Sequence, residues 1–143
     1  MARSLSLLED RIYNALIVDE RFELASCVDG FPMLDVGCYS DVVSGASKLF
    51  GFINGIRTLR PDVIITDELM EKEDAEACVK AINSGVKVIA SIHAKNHLEI
   101  LEKKEFKELL TGKYFERIVV LSNRCGPGTC EAIYDQDLSC IYF

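Results

Sequence analysis

Val63, Ile64 and Ile65 run into Thr66, Asp67 and Glu68, an apolar β-branched run that stops in acid. A run without polar alternation predicts a strand buried on both faces, the kind found in parallel sheets under helices. The pattern recurs in "YNALIVDE" at 13–20, which closes on Asp19 and Glu20, in "VKVIASIH" at 86–93, which closes on His93, and in "ERIVVLS" at 116–122. Helical spacing fills the intervals. Ser47 predicts a cap for a helix over 48–59 that Pro61 closes, because the residue before a proline is biased away from helix. Residues 71–85 read as a second helix, with Glu71, Glu73 and Asp74 at the positive end of its macrodipole and Gly85 as its stop. Residues 97–112 read as an amphipathic helix broken near Lys103, with Leu98, Leu101, Phe106, Leu109 and Leu110 facing inward. Residues 1–10 read as the end of a further helix with Leu5, Leu7 and Leu8 on its buried side.

Strands alternating with helices predict an α/β fold with a mainly parallel sheet and helices on both faces. Two segments depart from that alternation. Residues 21–45 form a long connection rich in Gly, Asp and Ser, and connections of that length are often functional. Residues 124–143 read as a turn followed by an antiparallel hairpin held by "YDQDLS".

A chain of 143 residues with 49% apolar and 27% charged positions suits one globular domain over 1–143. No stretch approaches the ~18 apolar residues of a membrane span, and the N-terminus turns acidic too soon for a signal peptide, so an intracellular protein without membrane insertion is expected. A formal net charge of −7 argues against a charge-driven nucleic-acid partner. The cysteines at 27, 38, 78, 125, 130 and 140 lack zinc-site spacing and read as reduced thiols, which gives a redox or metal-regulated role little support. Cys125 and Cys130, flanking a Gly-Pro-Gly turn, are the pair closest to an exception.

In an open α/β sheet ligands gather at the carboxyl ends of the strands, so Asp19, Glu20, Asp67, Glu68 and His93 are expected at one edge. For nucleotide hydrolysis, Asp67 would hold Mg²⁺ through its water shell, Glu68 would orient and polarise the attacking water, and His93 would sense the γ-phosphate. Such a site needs a phosphate-binding loop, and these residues contain none. Gly112-Lys113 is followed by Tyr114 and has Lys107 where the first glycine of G-x-x-x-x-G-K-[ST] belongs, while Gly45 and Lys48 in "SGASKLFG" have the wrong spacing.

The order of motifs "LIVDERFELASC", "RTLRPDVIITDEL", "EDAEACVKAINSGVKVIASIHA", "FERIVVLS" and "GPGT" resembles the C-terminal part of the RecA-like ATPase core of the stage III sporulation protein AA family. That family is related to the ATPases of type II and type IV secretion machines. The resemblance covers essentially the whole chain. It matches Asp19, Glu20 and Glu23 to the family's Asp box, "DVIITDE" to Walker B and "IASIHA" to the His box. It implies Glu68, Glu20 and His93 as catalytic residues, Asp67, Asp19 and Glu23 as cofactor-facing, and Asp67 as the residue nearest the metal. ATP and Mg²⁺ are the cofactors implied for the full-length family, with neither bound by this chain alone, because the first strand and the Walker A loop precede residue 1 or have been lost. The implied partners are further subunits of an ATPase ring and membrane channel proteins of the sporulation apparatus. The implied role is the coupling of ATP hydrolysis to a channel between mother cell and forespore, from the cytoplasm or the inner membrane surface. The alternative is a non-catalytic protein-interaction module that keeps the fold. The family's strand order sets 63–68 between 13–20 and 86–92 and leaves the absent strand between 86–92 and 116–121. Closure of those two segments in parallel is the expected response.

Overall fold

The computed structural model describes residues 12–142. The helix expected over 1–10, with Leu5, Leu7 and Leu8, lies outside them. The described residues fall into two compact units, one ending at His93 and the other beginning at Ala94.

The first unit is a parallel sheet of four strands, β1 (Ala15–Asp19), β2 (Ser40–Ser44), β3 (Val63–Glu68) and β4 (Lys87–Ser91), in the order β2-β1-β3-β4. As expected, 63–68 lies between the two neighbouring runs. β2 is an addition inside the long connection: it pairs with all of β1, from Ala15 opposite Ser40 to Asp19 opposite Ser44. Only Val42 and Val43 are apolar in it, too short a signal to read against its Asp and Ser flanks.

Two helices cover one face. α1 (Lys48–Leu59) is capped by Ser47, whose Oγ accepts the Phe50 N–H at 3.4 Å, and it ends at Arg60 in the left-handed conformation, before Pro61. Gly51 and Gly55 of α1 lie directly over Val18 and Leu16 of β1, and a Cβ on Gly51 would fall 2.6 Å from Val18 Cγ1. The missing side chains let helix and sheet approach closely. α2 (Lys72–Asn83) opens on Asp74, whose Oδ2 accepts the N–H groups of Met70 at 2.8 Å and Glu71 at 3.2 Å. It stops at Gly85 with φ of +85°. On the opposite face Ala15, Ile17, Val63 and Ile65 pack with Leu24 and Val36 of the connection after β1 and with Val42 and Ile89 of the neighbouring strands.

The second unit holds α3 (His97–Glu102) and α4 (Lys104–Thr111), and β5 (Arg117–Ser122), β6 (Thr129–Asp135) and β7 (Cys140–Tyr142) in an antiparallel sheet of order β5-β6-β7. The helix break falls at Lys103, as expected, with ψ of 108°. The break resets the helical phase: Phe106, Leu109 and Leu110 are buried and Ile100 joins them, while Leu98 is 56% exposed instead of facing inward. In the last hairpin the Asp135 carboxylate accepts the N–H groups of Asp137 and Ser139, both at 2.9 Å.

The expected parallel closure of 86–92 on 116–121 does not occur. Among the described residues β4 pairs with β3 alone, and β5 pairs antiparallel with β6, from Arg117 opposite Asp135 to Ser122 opposite Thr129. A local partner that begins seven residues on, at Thr129, closes with far less loop entropy than a distant strand. The fully buried β5 expected from its apolar run is also corrected: exposure alternates along it, with Val119 and Leu121 on the open face.

Candidate functional site

The carboxyl ends of β1 and β3 are side by side, because Val18 pairs with Thr66 and the next residues are Asp19 and Asp67. A bulge then shapes β3. Ile65 lies opposite Ile89 and Glu68 opposite Ser91, so three steps along β3 match two along β4. The extra residue redirects the chain at Thr66 and Asp67, as bulges beside functional sites often do. Thr66 Oγ1 donates to Val18 O at 2.9 Å and ties the two strand ends together.

Asp19 is fully buried and accepts three backbone N–H groups, from Glu23 at 2.8 Å and Leu24 at 3.1 Å on Oδ1 and from Ala25 at 2.8 Å on Oδ2. It shapes the loop leaving β1. Glu20, Asp67 and Lys48 form the centre of the edge: the Lys48 ammonium is 2.7 Å from Asp67 Oδ1 and 2.9 Å from Glu20 Oε2. Lys48 is only 2% exposed, at the first position of α1. Burial, the largest single influence, pulls its pKa down, but hydrogen bonds to Asp67 and Glu20, with the negative charges of Asp74 and Asp67, outweigh it and the net direction is up. The ammonium therefore stays charged.

The other oxygen of Asp67, Oδ2, accepts the Arg21 N–H at 3.1 Å. The Arg21 guanidinium lies between Glu23, 3.4 Å from Nε, and Glu68, 3.6 Å from its nearest terminal nitrogen. These groups are half-exposed, so the pairing orders the surface more than it stabilises the fold. Glu23, Asp67, Glu68 and His93 line one shallow cleft of about 220 Å³ with Leu24, Ser91 and Ile92. His93 thus shares the edge with Glu68, and the structure brings all six sequence-predicted residues to the same end of the sheet.

Arg21 and Lys48 are the site residues that sequence reading misses. Lys48 carries one signal: it is a cation in the first turn of a helix, where the macrodipole disfavours it and where no acid accompanies it. Arg21 sits directly after the acid pair that ends β1 and reads only as a loop residue.

A Mg²⁺ ion fits poorly as a direct ligand here. Asp67 Oδ1 faces an ammonium at 2.7 Å and Oδ2 a backbone N–H, and among the described residues no three His, Cys, Asp or Glu side chains converge as a metal-binding group. All six cysteines are free thiols, Cys125 and Cys130 included. No helix among the described residues is long and apolar enough to cross a membrane.

Comparison with known proteins identifies a family and a fold. Residues 10–141 match the family described as Sporulation stage III, protein AA. Stage III sporulation protein AA of Bacillus subtilis (strain 168) is 38% identical over 121 residues, which cover 85% of this chain and 39% of that protein. The chain therefore spans well under half the length of this relative. The X-ray structure of the Legionella pneumophila ATPase DotB superposes with a TM-score of 0.63 at 14% identity, over 94% of this chain and 40% of that one, a likeness of fold.

Proposed function

The chain belongs to the sporulation stage III protein AA family, and from that premise we propose that its acidic sheet edge is the water-activating half of an ATP-hydrolysing site in a secretion-type ATPase. The observation that carries this is the placement of Glu68 after the bulge, in one cleft with His93 and beside Arg21. Glu68 accepts a proton from a water whose oxygen attacks the γ-phosphorus, and the bond from that phosphorus to the β,γ-bridging oxygen breaks as ADP leaves. His93, across the cleft, faces the released phosphate. Glu20 and Asp67 hold Lys48, Asp19 shapes the loop, and Glu23 keeps Arg21 directed at Glu68. Mg²⁺ belongs to the nucleotide in this reading and meets Asp67 only through water.

The phosphates would be held by residues other than these 143, in the whole protein. There the role is to couple hydrolysis, in a ring of subunits at the inner membrane surface, to assembly or operation of a channel between mother cell and forespore. The test is Glu68→Gln in the whole protein. Turnover is expected to fall by about 10²- to 10⁴-fold with ATP binding retained. Turnover within a few-fold of wild type would refute the assignment.

The loop after β1 favours a second reading, a protein-contact module. Val28, Phe31, Met33 and Leu34 are each about half exposed or more, Phe31 reaching 73%, and clustered exposed apolar side chains mark interaction surfaces. If contact is the function, Phe31→Ser lowers spore yield in a host carrying the variant while Glu68→Gln leaves it unchanged.

A further inference from the structure

Lys48 breaks two local rules at once. A cation at the first position of a helix opposes the macrodipole, and a buried ammonium forgoes solvation. Violations of this kind collect at functional sites, because the surroundings must over-determine them. Here they are met by two carboxylates from two strand ends, Asp67 at 2.7 Å and Glu20 at 2.9 Å, which bring two negative charges to one buried positive one. Thr66 Oγ1, 2.9 Å from Val18 O, fastens the same strand ends beneath it.

One cation between two carboxylates, with the Arg21 backbone N–H on the other Asp67 oxygen at 3.1 Å, occupies the place that a metal ion would take. Mg²⁺ needs a carboxylate oxygen at ~2.0–2.1 Å in octahedral geometry. The ammonium next to Asp67 Oδ1 blocks that approach by size and by charge.

We infer that Lys48 is a positioning residue that takes the place of a metal at this edge: its ammonium clamps Glu20 to Asp67 and excludes divalent cations from direct ligation by Asp67. With both oxygens of Asp67 held, Glu68 next in the chain is presented to the cleft in one orientation. The clamp needs no nucleotide, so its test is separate from that of Glu68 turnover.

The probe is Mn²⁺, followed through the electron paramagnetic resonance signal of the free ion, added to the 143-residue chain. Wild type is expected to show no stoichiometric site tighter than about 1 mM. Lys48→Met is expected to gain one Mn²⁺ site at least tenfold tighter, lost again in Lys48→Met with Asp67→Asn, whereas Lys48→Arg keeps the exclusion. A wild-type site that Asp67→Asn abolishes would overturn the clamp, and so would a folded Lys48→Met chain indifferent to Mn²⁺. Should Lys48→Met not fold, the wild-type ammonium decides: its ¹⁵Nζ resonance is expected to be protected from exchange and unmoved by saturating Mg²⁺, and its loss or shift on adding Mg²⁺ overturns the proposal.

Discussion

Cys78, fully buried on α2, shows what the interior of the first unit does to a titratable group. Burial first, and the nearby Asp74 second, push its thiol up to about 12 from an ordinary 9.0, against an opposing pull from Lys48. The folded chain therefore holds this proton more tightly than the unfolded chain. The stability linked to it is complete below pH 9, where both states are protonated, and is lost as pH rises toward the folded value. The slope in that window is about 1.4 kcal/mol per pH unit, and Lys48, shifted upward from 10.5, adds a loss of the same sign only above that pH. Urea unfolding at pH 8.0, 9.5 and 10.5 should show wild type losing more stability than Cys78→Ala above pH 9. Equal slopes would remove the thiol from the account. Against an aromatic disulfide reagent at pH 8, exposed Cys38 should react readily and Cys78 only on unfolding. At this scale the acids were legible and their cation was not. Glu20, Asp67, Glu68 and His93 each end or follow an apolar run, a pattern in one dimension. Lys48 meets them only across 28 residues in the case of Glu20, and its Gly-x-x-Lys setting has no phosphate-loop spacing to draw attention. Asp19 was legible as a strand-end acid, but its engagement with three amides of its own loop depends on the turn that follows.

Elements reveal a different division. Long periodic segments give their positions away: α1, α2, β1 and β3 lie where spacing, the Ser47 cap and the Gly85 stop place them. The exceptions are elements whose pairing is decided elsewhere. β2 exists because β1 offers it a parallel edge, and β5 alternates because β6 takes it antiparallel. The β3 bulge likewise answers to β4, and no single-strand pattern announces it. The α1–β1 contact is testable by a single methyl group. Gly51→Ala would gain about 1 kcal/mol of helix propensity, yet its Cβ meets Val18 Cγ1 at 2.6 Å and Cγ2 at 3.2 Å. Val18 is β-branched and fully buried, so it cannot turn away cheaply. Overpacking of this kind costs ~1–3 kcal/mol, and a net loss of up to about 2 kcal/mol is expected in urea. A variant as stable as wild type would mean that helix and sheet separate more easily than their packing indicates.

Over the whole molecule, the acidic edge has already supplied an anion for each of its own anion-binding features. Three successive N–H groups, of Glu23, Leu24 and Ala25, form a nest of the kind that holds phosphate elsewhere, and Asp19 fills it. Lys48 is held by Glu20 and Asp67, and Arg21 lies between Glu23 and Glu68. A nucleotide reaching this edge must displace carboxylates that are tethered by the fold, in a chain whose formal net charge is −7. Each tethered carboxylate competes at an effective concentration that a dissolved ligand cannot match. No phosphate loop in these 143 residues compensates with further N–H donors. Calorimetric titration of Mg·ATP into the chain is therefore expected to show no binding tighter than about 1 mM. Asp19→Asn should leave that result unchanged: its one amide oxygen can still accept the N–H groups of Glu23 and Leu24, only that of Ala25 loses its acceptor, and Lys48 remains paired. A micromolar dissociation constant for wild type would mean that the internal pairs open at little cost. The edge would then be a complete nucleotide site in its own right, with Lys48 and Arg21 as its phosphate ligands.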